Sequence, residues 1–412
     1  MDRKSEVFIF GYKRTPFCEF IGSAKDGTGG RAGKLASLSA PRLGAIAAKG
    51  VFRDTGIPVE LIGQIVFGIA EQNWNDDFYG ARYIGLELGL VETPALTVAR
   101  ICGSGAEAIV TGARMIMLGE TDFVLAGGAE SLSGSPHVLR GLRDGVKLMQ
   151  PPPLEDLFGS HLFDRFANLM MGGTANKLGE EFGLTREECD VYALASIERA
   201  AKAQDAGFFE KEIISVELLD KKGNSSAVVS RDDHIRRGTS LEELLSLRPV
   251  TIFGDPKKGL VTPGNASGMV DGAVALIIGN DNAMARGFTP IGKLVSWGIS
   301  AVRPEIMGFG PVPAIKLALK NAGLTLDDLE TLELNEAFAP VAVADMKALG
   351  FPHEKYNPNG GAIALGHPLG ATGARLIGTV LNHLRTAKKK SFGCASMCIG
   401  GGQGIAVVVE AL

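Results

Sequence analysis

An internal repeat constrains this chain more than any other feature. Shifted along itself by about 267 positions, the sequence sets Gly56-Ile-Pro-Val-Glu-Leu-Ile over Gly323-Leu-Thr-Leu-Asp-Asp-Leu, and Gly127-Gly-Ala-Glu-Ser over Cys394-Ala-Ser-Met-Cys. Within each half, short apolar runs alternate with helical patterns. The first half runs Ile65-Val-Phe, a helical stretch from Tyr83 to Leu90, Leu96-Thr-Val, a helical stretch from Ala106 to Leu118, and Phe123-Val-Leu-Ala. The second runs a helix from Ala314 to Ala322, a strand from Thr331 to Leu334, a helix from Ala371 to Arg385 and a strand from Phe392 to Ser396. Such alternation is the signature of an α/β layered sheet, here one duplicated unit.

The repeat carries chemistry with it. The same shift lays Cys102 within two positions of His367 and Asn335 over Gly68, so the halves offer corresponding strand-to-helix turns to one shared face. Between them the alternation breaks: Pro151-Pro-Pro, a helical stretch from Arg186 to Ala206 and a charged loop from Arg231 to Arg237 read as an inserted, substrate-covering domain. The expected organisation is an N-terminal half over 1–132, completed by about 250–285, an insertion over 133–249, and a C-terminal half over 286–412.

Composition excludes several classes. With 412 residues, 45% of them hydrophobic, the chain can bury more than one domain-sized core, and a net charge of −4 lacks the basic footprint of a nucleic-acid binder. Lys388-Lys389-Lys390 reads as a solvated turn before a strand. The longest apolar runs, Ile405 to Val409 and Ala273 to Ile278, fall far short of a membrane span. The N-terminal residues lead directly into Val7-Phe8-Ile9-Phe10, a first strand rather than a leader, which makes the cytoplasm the expected location. The five cysteines, an odd number, are expected as free thiols in a reducing compartment.

Three of the glycine-rich segments hold a reactive side chain. Cys102-Gly-Ser-Gly105 follows a strand and opens a helix, where the helix dipole is expected to favour a thiolate nucleophile. His367, in Gly366-His-Pro-Leu-Gly, is the one histidine of six embedded in a glycine-rich turn, and Cys398 stands beside Gly400-Gly-Gly402. Glycines let a substrate approach main-chain N–H groups that can hold an oxyanion, so two thiols and an imidazole on such turns point to thiol-based acyl transfer. Cys394 would make a C-x3-C pair with Cys398, but one pair does not make a zinc site, and no metal is expected. Asn335 can position a water or a carbonyl, or equally cap a helix.

Taken together, Cys102-Gly-Ser-Gly, Gly264-Asn-Ala-Ser-Gly, Asn335-Glu-Ala-Phe-Ala, Asn359-Gly-Gly-Ala-Ile-Ala-Leu-Gly-His-Pro-Leu-Gly and Cys398-Ile-Gly-Gly-Gly-Gln-Gly resemble the motifs of the thiolase family, in order and across nearly the whole chain. The resemblance implies a duplicated, five-layered αβαβα fold with a loop domain, a homodimer or homotetramer, and reversible exchange between 3-ketoacyl-CoA plus CoA and two shorter acyl-CoAs. It implies no cofactor beyond the coenzyme A thioester substrates. By the same resemblance Cys102 is the acylated nucleophile, Cys398 the acid/base thiol and His367 the activator of Cys102. His367 and a water held by Asn335 would form one oxyanion hole, and the backbone N–H groups of Cys102 and Gly400 the other. Substrate and CoA contacts would fall to Ser267, Arg236, Ala266, Phe338 and Met171.

Two departures are local. This chain has Thr97-Val-Ala99 where the family commonly has Thr-Val-Asn, and Met170 where many members place a pocket histidine, so the polarity of the acyl pocket differs. Two rivals remain: a ketosynthase-like condensing enzyme, which would resemble a Cys-His-His arrangement, and a non-catalytic acyl-CoA-binding or scaffold protein.

Overall fold

Both halves build the same four-stranded motif. The computed structural model describes residues 6–20, 33–220, 222–255, 257–386 and 391–412; Lys388-Lys389-Lys390 lies outside them. The main strands are β1 (Val7–Arg14), β2 (Gln64–Gly68), β3 (Ala95–Val98), β4 (Phe123–Glu130), β5 (Val270–Gly279), β6 (Gly292–Ala301), β7 (Leu329–Leu334), β8 (Phe392–Ile399) and β9 (Gln403–Ala411). Their order is β7-β8-β9-β6-β1-β5-β4-β2-β3, with Cys18–Glu19 a short tenth strand against β5. Read outward from the centre, β1-β5-β4-β2 in one half matches β6-β9-β8-β7 in the other. In both, the last pair is parallel and the other two antiparallel. The halves join where β1 and β6 pair over only Val7 to Ile9.

Helices repeat as the strands do. The longer ones are α1 (Ala40–Thr55), α2 (Ser104–Met117), α3 (Met171–Glu181), α4 (Arg186–Asp205), α5 (Pro311–Ala322), α6 (Ala339–Leu349) and α7 (Leu369–Thr386). α1 and α5 correspond. Each has proline in its first turn and ends on a left-handed glycine, Gly56 (φ 66°) and Gly323 (φ 69°), the very glycines that the sequence repeat superimposes.

Three cores define the layers. α1 packs on the outer face of the N-terminal strands with Phe8, Phe10, Ile65, Phe67 and Ile277. α5 and α6 cover the outer face of the C-terminal strands with Leu332, Leu334 and Val408. Between the sheets lies a core shared by both halves, in which Ile109 and Val110 of α2 and Leu376, Ile377 and Val380 of α7 meet Val124, Val274, Met397 and Val407. The fold is therefore five layers, αβαβα. Helices on both faces explain why β4, β5, β8 and β9 read as apolar runs rather than alternating ones: nearly every residue in them is buried.

α2 and α7 cross on small residues. A Cβ on Gly105 would lie 2.7 Å from Gly370 O and 2.9 Å from Ala374 N, and one on Gly373 would lie 2.4 Å from Ala106 N. Gly128 of β4 is tighter still, its Cβ position 1.9 Å from Gly370 O. Residues between β4 and β5 are tied back to the first strand by Arg14, fully buried, which donates to Glu212 Oε2 (3.0 Å) and to both oxygens of Asp232 (2.7 and 2.8 Å). α4 packs into the C-terminal core through Tyr192, Ala193 and Ile197.

The crossing makes a stability prediction. Gly128→Ala is expected to cost about 2–3 kcal/mol through overpacking. Gly119→Ala, at a left-handed glycine with nothing within 4 Å of its Cβ position, should cost only about 1 kcal/mol in backbone strain. Thermal unfolding of the two variants checks this; equal losses would mean that the contact with Gly370 gives way freely.

Candidate active site

Cys102 sits at the apex of a strained turn. β3 ends at Val98, α2 begins at Ser104, and Ile101 between them adopts φ 46°, a left-handed conformation costly for a β-branched residue. Hydrogen bonds over-determine the turn: Gly103 N donates to Arg100 O (2.8 Å), Ser104 Oγ to Ile101 O (2.6 Å), and Arg100 N to Ser104 Oγ (2.9 Å). The Arg100 guanidinium is itself held by Glu107 (2.8 Å) and by Gln403 of the other half (3.0 Å). A Cβ on Gly103 would lie 2.6 Å from Ile399 Cδ1, so the turn packs directly on the end of β8.

That packing delivers Cys398 and Gly400 to the same place. β8 ends at Ile399, and Gly401 and Gly402, both at φ 82°, turn the chain into β9. Cys398 is 1% exposed. Gly400 lies beside Ile101, its Cβ position 3.9 Å from the Ile101 side chain, and the Gly400 and Cys102 N–H groups both favour the Cys102 thiolate.

His367 enters from the start of α7. Gly366 (φ 89°) reverses the chain, His367 N donates to Gly268 O (2.8 Å), and Pro368 precedes the helix. Thr372 Oγ1 gives its proton to Pro368 O (2.9 Å) and lies 2.6 Å from His367 Nδ1. The hydroxyl therefore accepts from Nδ1–H, which leaves the lone pair on Nε2. Asn335 Nδ2 stands 3.3 Å from that nitrogen. Asn335 is no helix cap: α6 starts only at Ala339, and Asn335 Oδ1 is buried with no hydrogen-bond partner among the described residues.

Two buried carboxylates brace these segments. Glu336 accepts from Tyr192 (2.8 Å) and Ser196 (2.6 Å) of α4, from Asn357 Nδ2 (2.9 Å) and from Ile363 N (3.2 Å), tying the Asn335 segment to the loop that leads to His367. Glu130, at the end of β4, accepts from Ala70 N (3.1 Å), Glu71 N (3.3 Å) and Gly370 N (2.9 Å), and so anchors the start of α7. The sequence reading passed over Glu130, Glu336, Asn357 and Thr372. A glutamate closing the glycine strand Gly127-Gly-Ala-Glu, and another beside Asn335, were the available signals.

The electrostatics correct one expectation. Burial pushes the Cys102 thiol up to about 11, against the Gly400 and Cys102 N–H groups that favour its thiolate, and Glu130 and Glu71 push it further. The helix N-terminus does not prevail, because desolvation of a charged sulfur outweighs it. Burial raises Cys398 well above the ordinary thiol value, and Cys102 and Asp345 add to the shift. Burial, then the Arg375 charge, lowers His367 to about 3. All three groups rest uncharged at neutral pH.

The remaining predicted residues divide. Met171 packs over Gly400, its sulfur 3.3 Å from the Cβ position there. Ala266 bridges Phe338 and Ser267 N donates to Ala337 O (3.0 Å), so these three form one wall beside the Asn335 segment. Arg236 is exposed and donates to Pro263 O (2.8 Å), at the outer end of that wall. Ala99 is exposed, and Met170 is half-buried in a short ladder with Phe163. Cys394 is buried core. Among the described residues no group of three or more His, Cys, Asp or Glu side chains converges as a metal-binding set. No described helix is long and apolar enough to cross a membrane.

Residues 7–282 match the model of a thiolase N-terminal domain and residues 288–411 that of a thiolase C-terminal domain. The chain is 43% identical over 406 residues to the mitochondrial 3-ketoacyl-CoA thiolase of Homo sapiens, covering 98% of each. It is 38% identical over 395 residues to an acetyl-CoA acetyltransferase of Cupriavidus necator, covering 95% of this chain and 98% of the relative. A solved structure of human mitochondrial 3-ketoacyl-CoA thiolase in complex with CoA superimposes with a TM-score of 0.92 at 41% identity, over 99% of this chain and 98% of that one.

Alkylation tests the resting state. Iodoacetamide should modify Cys102 ahead of Cys18, Cys189, Cys394 and Cys398, because it alone among the five is not buried. The rate should still be climbing at about pH 10, since a thiol near 11 gains thiolate throughout that range. A rate that levels off by about pH 8 would mean a preformed thiolate–imidazolium pair.

Proposed function

The chain belongs to the thiolase family, and from that premise we propose that it interconverts a 3-ketoacyl-CoA plus CoA with two shorter acyl-CoAs through an acyl-Cys102 thioester. The observation that carries this reading is the packing of the Cys102 turn on the end of β8, Gly103 against Ile399 and Gly400 beside Ile101, which brings Cys102, Cys398 and Gly400 together from opposite halves of the repeat.

In the cleavage direction, His367 Nε2 takes the Cys102 proton and the sulfur attacks the 3-keto carbon. Negative charge then develops on the keto oxygen. The Gly400 and Cys102 N–H groups, beside the sulfur now bonded to that carbon, are suited to receive it, each such donor contributing roughly 3 kcal/mol when preorganised. The C2–C3 bond breaks, the electron pair passes to the acetyl-CoA fragment as an enolate, and Cys398 supplies its proton. The imidazolium and a water held at Asn335 Oδ1 are suited to the thioester oxygen of that enolate. CoA then attacks acyl-Cys102, Cys398 taking the CoA proton; the acyl–sulfur bond breaks and His367 returns its proton to the Cys102 sulfur. Condensation is the same path reversed. The electron count closes with these residues and CoA thioesters, and the proposal invokes no other cofactor.

Neutral resting groups support this division of labour, because the same thiol must give and take protons at carbon. The ketosynthase alternative is less well supported, since Cys398 stands where a second histidine would be needed. Retention of all three reactive side chains argues against a non-catalytic scaffold. Ser267, Ala266, Phe338 and Met171 suit the pantetheine and acyl chain, and exposed Arg236 suits a CoA phosphate.

Assembly as a homo-oligomer is supported by the sheet edge. β3 ends the strand order, and around it Phe78 (72% exposed), Val91 (65%), Leu96 (42%) and Ile101 (46%) leave apolar surface uncovered. We assign this edge to a two-fold partner. Leu148 and Met149, 91% and 90% exposed, offer a second surface by which dimers could pair into a tetramer. Free cysteines suit a reducing compartment; the cytoplasm meets that need, as does the mitochondrial location named for the human relative.

Two experiments bear on these proposals. Cys398→Ala should still acquire an acetyl group on Cys102 from acetyl-CoA, seen by intact mass, while acetoacetyl-CoA cleavage falls by about 10²–10⁴. Cys102→Ala should lose both, and a Cys398→Ala enzyme of near wild-type rate would remove Cys398 from the mechanism. For assembly, light scattering should give a dimer or tetramer mass, and Phe78→Asp with Leu96→Lys should lower it. A monomeric wild type would overturn the oligomer.

A further inference from the structure

Beside the nucleophile lies a carboxyl that the mechanism does not use. Glu71 is 6% exposed, and its Oε2 has no hydrogen-bond partner among the described residues. Its other oxygen stands 3.4 Å from His161 Nδ1. The residue before it, Ala70, packs in one small apolar cluster with Cys102, Leu132, Phe158, Leu162 and Leu369. The Glu71 carboxyl is among the groups that push the Cys102 thiol up. Two more buried acceptors without a partner, Asn73 Oδ1 and Ser135 Oγ, belong to the adjoining segments.

A pocket for a purely apolar acyl chain would have no use for this group, since a buried, half-satisfied carboxyl costs stability. We infer that Glu71 selects a 3-ketoacyl-CoA whose acyl chain carries a hydroxyl group, which would bond the vacant Oε2 beyond the apolar cluster. This rests on the acyl-transfer reading given above. A hydroxyl both donates and accepts, so it satisfies the carboxyl in either protonation state. A carboxylate-bearing chain is disfavoured, because Glu130 and Asp156 already oppose negative charge at Glu71, against the His161 and Asn73 side chains. An apolar chain buries Oε2 unpaired, and a site built around a polar partner rejects such an analogue strongly.

Three probes of equal chain length test this: 3-ketohexanoyl-CoA, its 6-hydroxy derivative and 3-ketoadipyl-CoA, with acetoacetyl-CoA as the reference. For the wild type, kcat/KM for the hydroxylated probe should exceed that for the other two by about tenfold or more. Glu71→Leu should reverse the order of the hydroxylated and apolar probes, and Glu71→Gln should keep it. These are ratios within one preparation, so a poorly folded variant does not distort them. A wild type that cleaves acetoacetyl-CoA yet prefers the apolar or the dicarboxylic probe overturns the Glu71 assignment alone, as does an unchanged ratio in Glu71→Leu. Failure to cleave any of the four overturns the acyl-transfer reading and this inference with it.

Discussion

The crossing of α2 and α7 on glycine and alanine governs this molecule. Gly105, Gly370 and Gly373 let two buried helices approach backbone to backbone, and Gly128 lets β4 join them. Because Cys102 precedes one helix and His367 the other, that approach sets the separation of Cys102 and His367. Any side chain at the contact would push the halves apart, and the active site with them. The five layers follow from the same geometry, since a helix pair of this kind can carry a sheet on each flank.

The site so assembled is dry and neutral. Desolvation, more than any single neighbour, decides the protonation of Cys102, Cys398 and His367. A thiol kept protonated is a poor nucleophile at rest. It is also protected from adventitious alkylation and oxidation, and charge need appear only when substrate oxygens are present to share it. Strain at Ile101 belongs to the same design: the turn pays in backbone conformation to seat Cys102 against the end of β8.

Legibility in the sequence was uneven, for physical reasons. Glycine-flanked Cys102, His367 and Cys398 stand out because tight turns and open backbone require glycine whatever surrounds them. The paired αL caps Gly56 and Gly323 made the duplication visible for the same reason. The bracing carboxylates did not stand out. Glu130 and Glu336 gain meaning only from partners far along the chain, 240 positions away at Gly370 and 144 at Tyr192. The charge state of Cys102 was misjudged, because a helix N-terminus is local and readable whereas burial is a property of everything packed around it.

What the sequence alone determined is the local grammar: strand and helix order, the repeat, the turns and the reactive atoms upon them. Each depends on conformational preferences of a few neighbouring residues. Tertiary structure decided which turns share a site, which tautomer His367 adopts, that Gly400 comes to the Cys102 turn, and that the Ala70–Glu71 segment packs beside Cys102. Those depend on desolvation and on contacts between segments distant in the chain, and neither exists until the two halves close on α2 and α7.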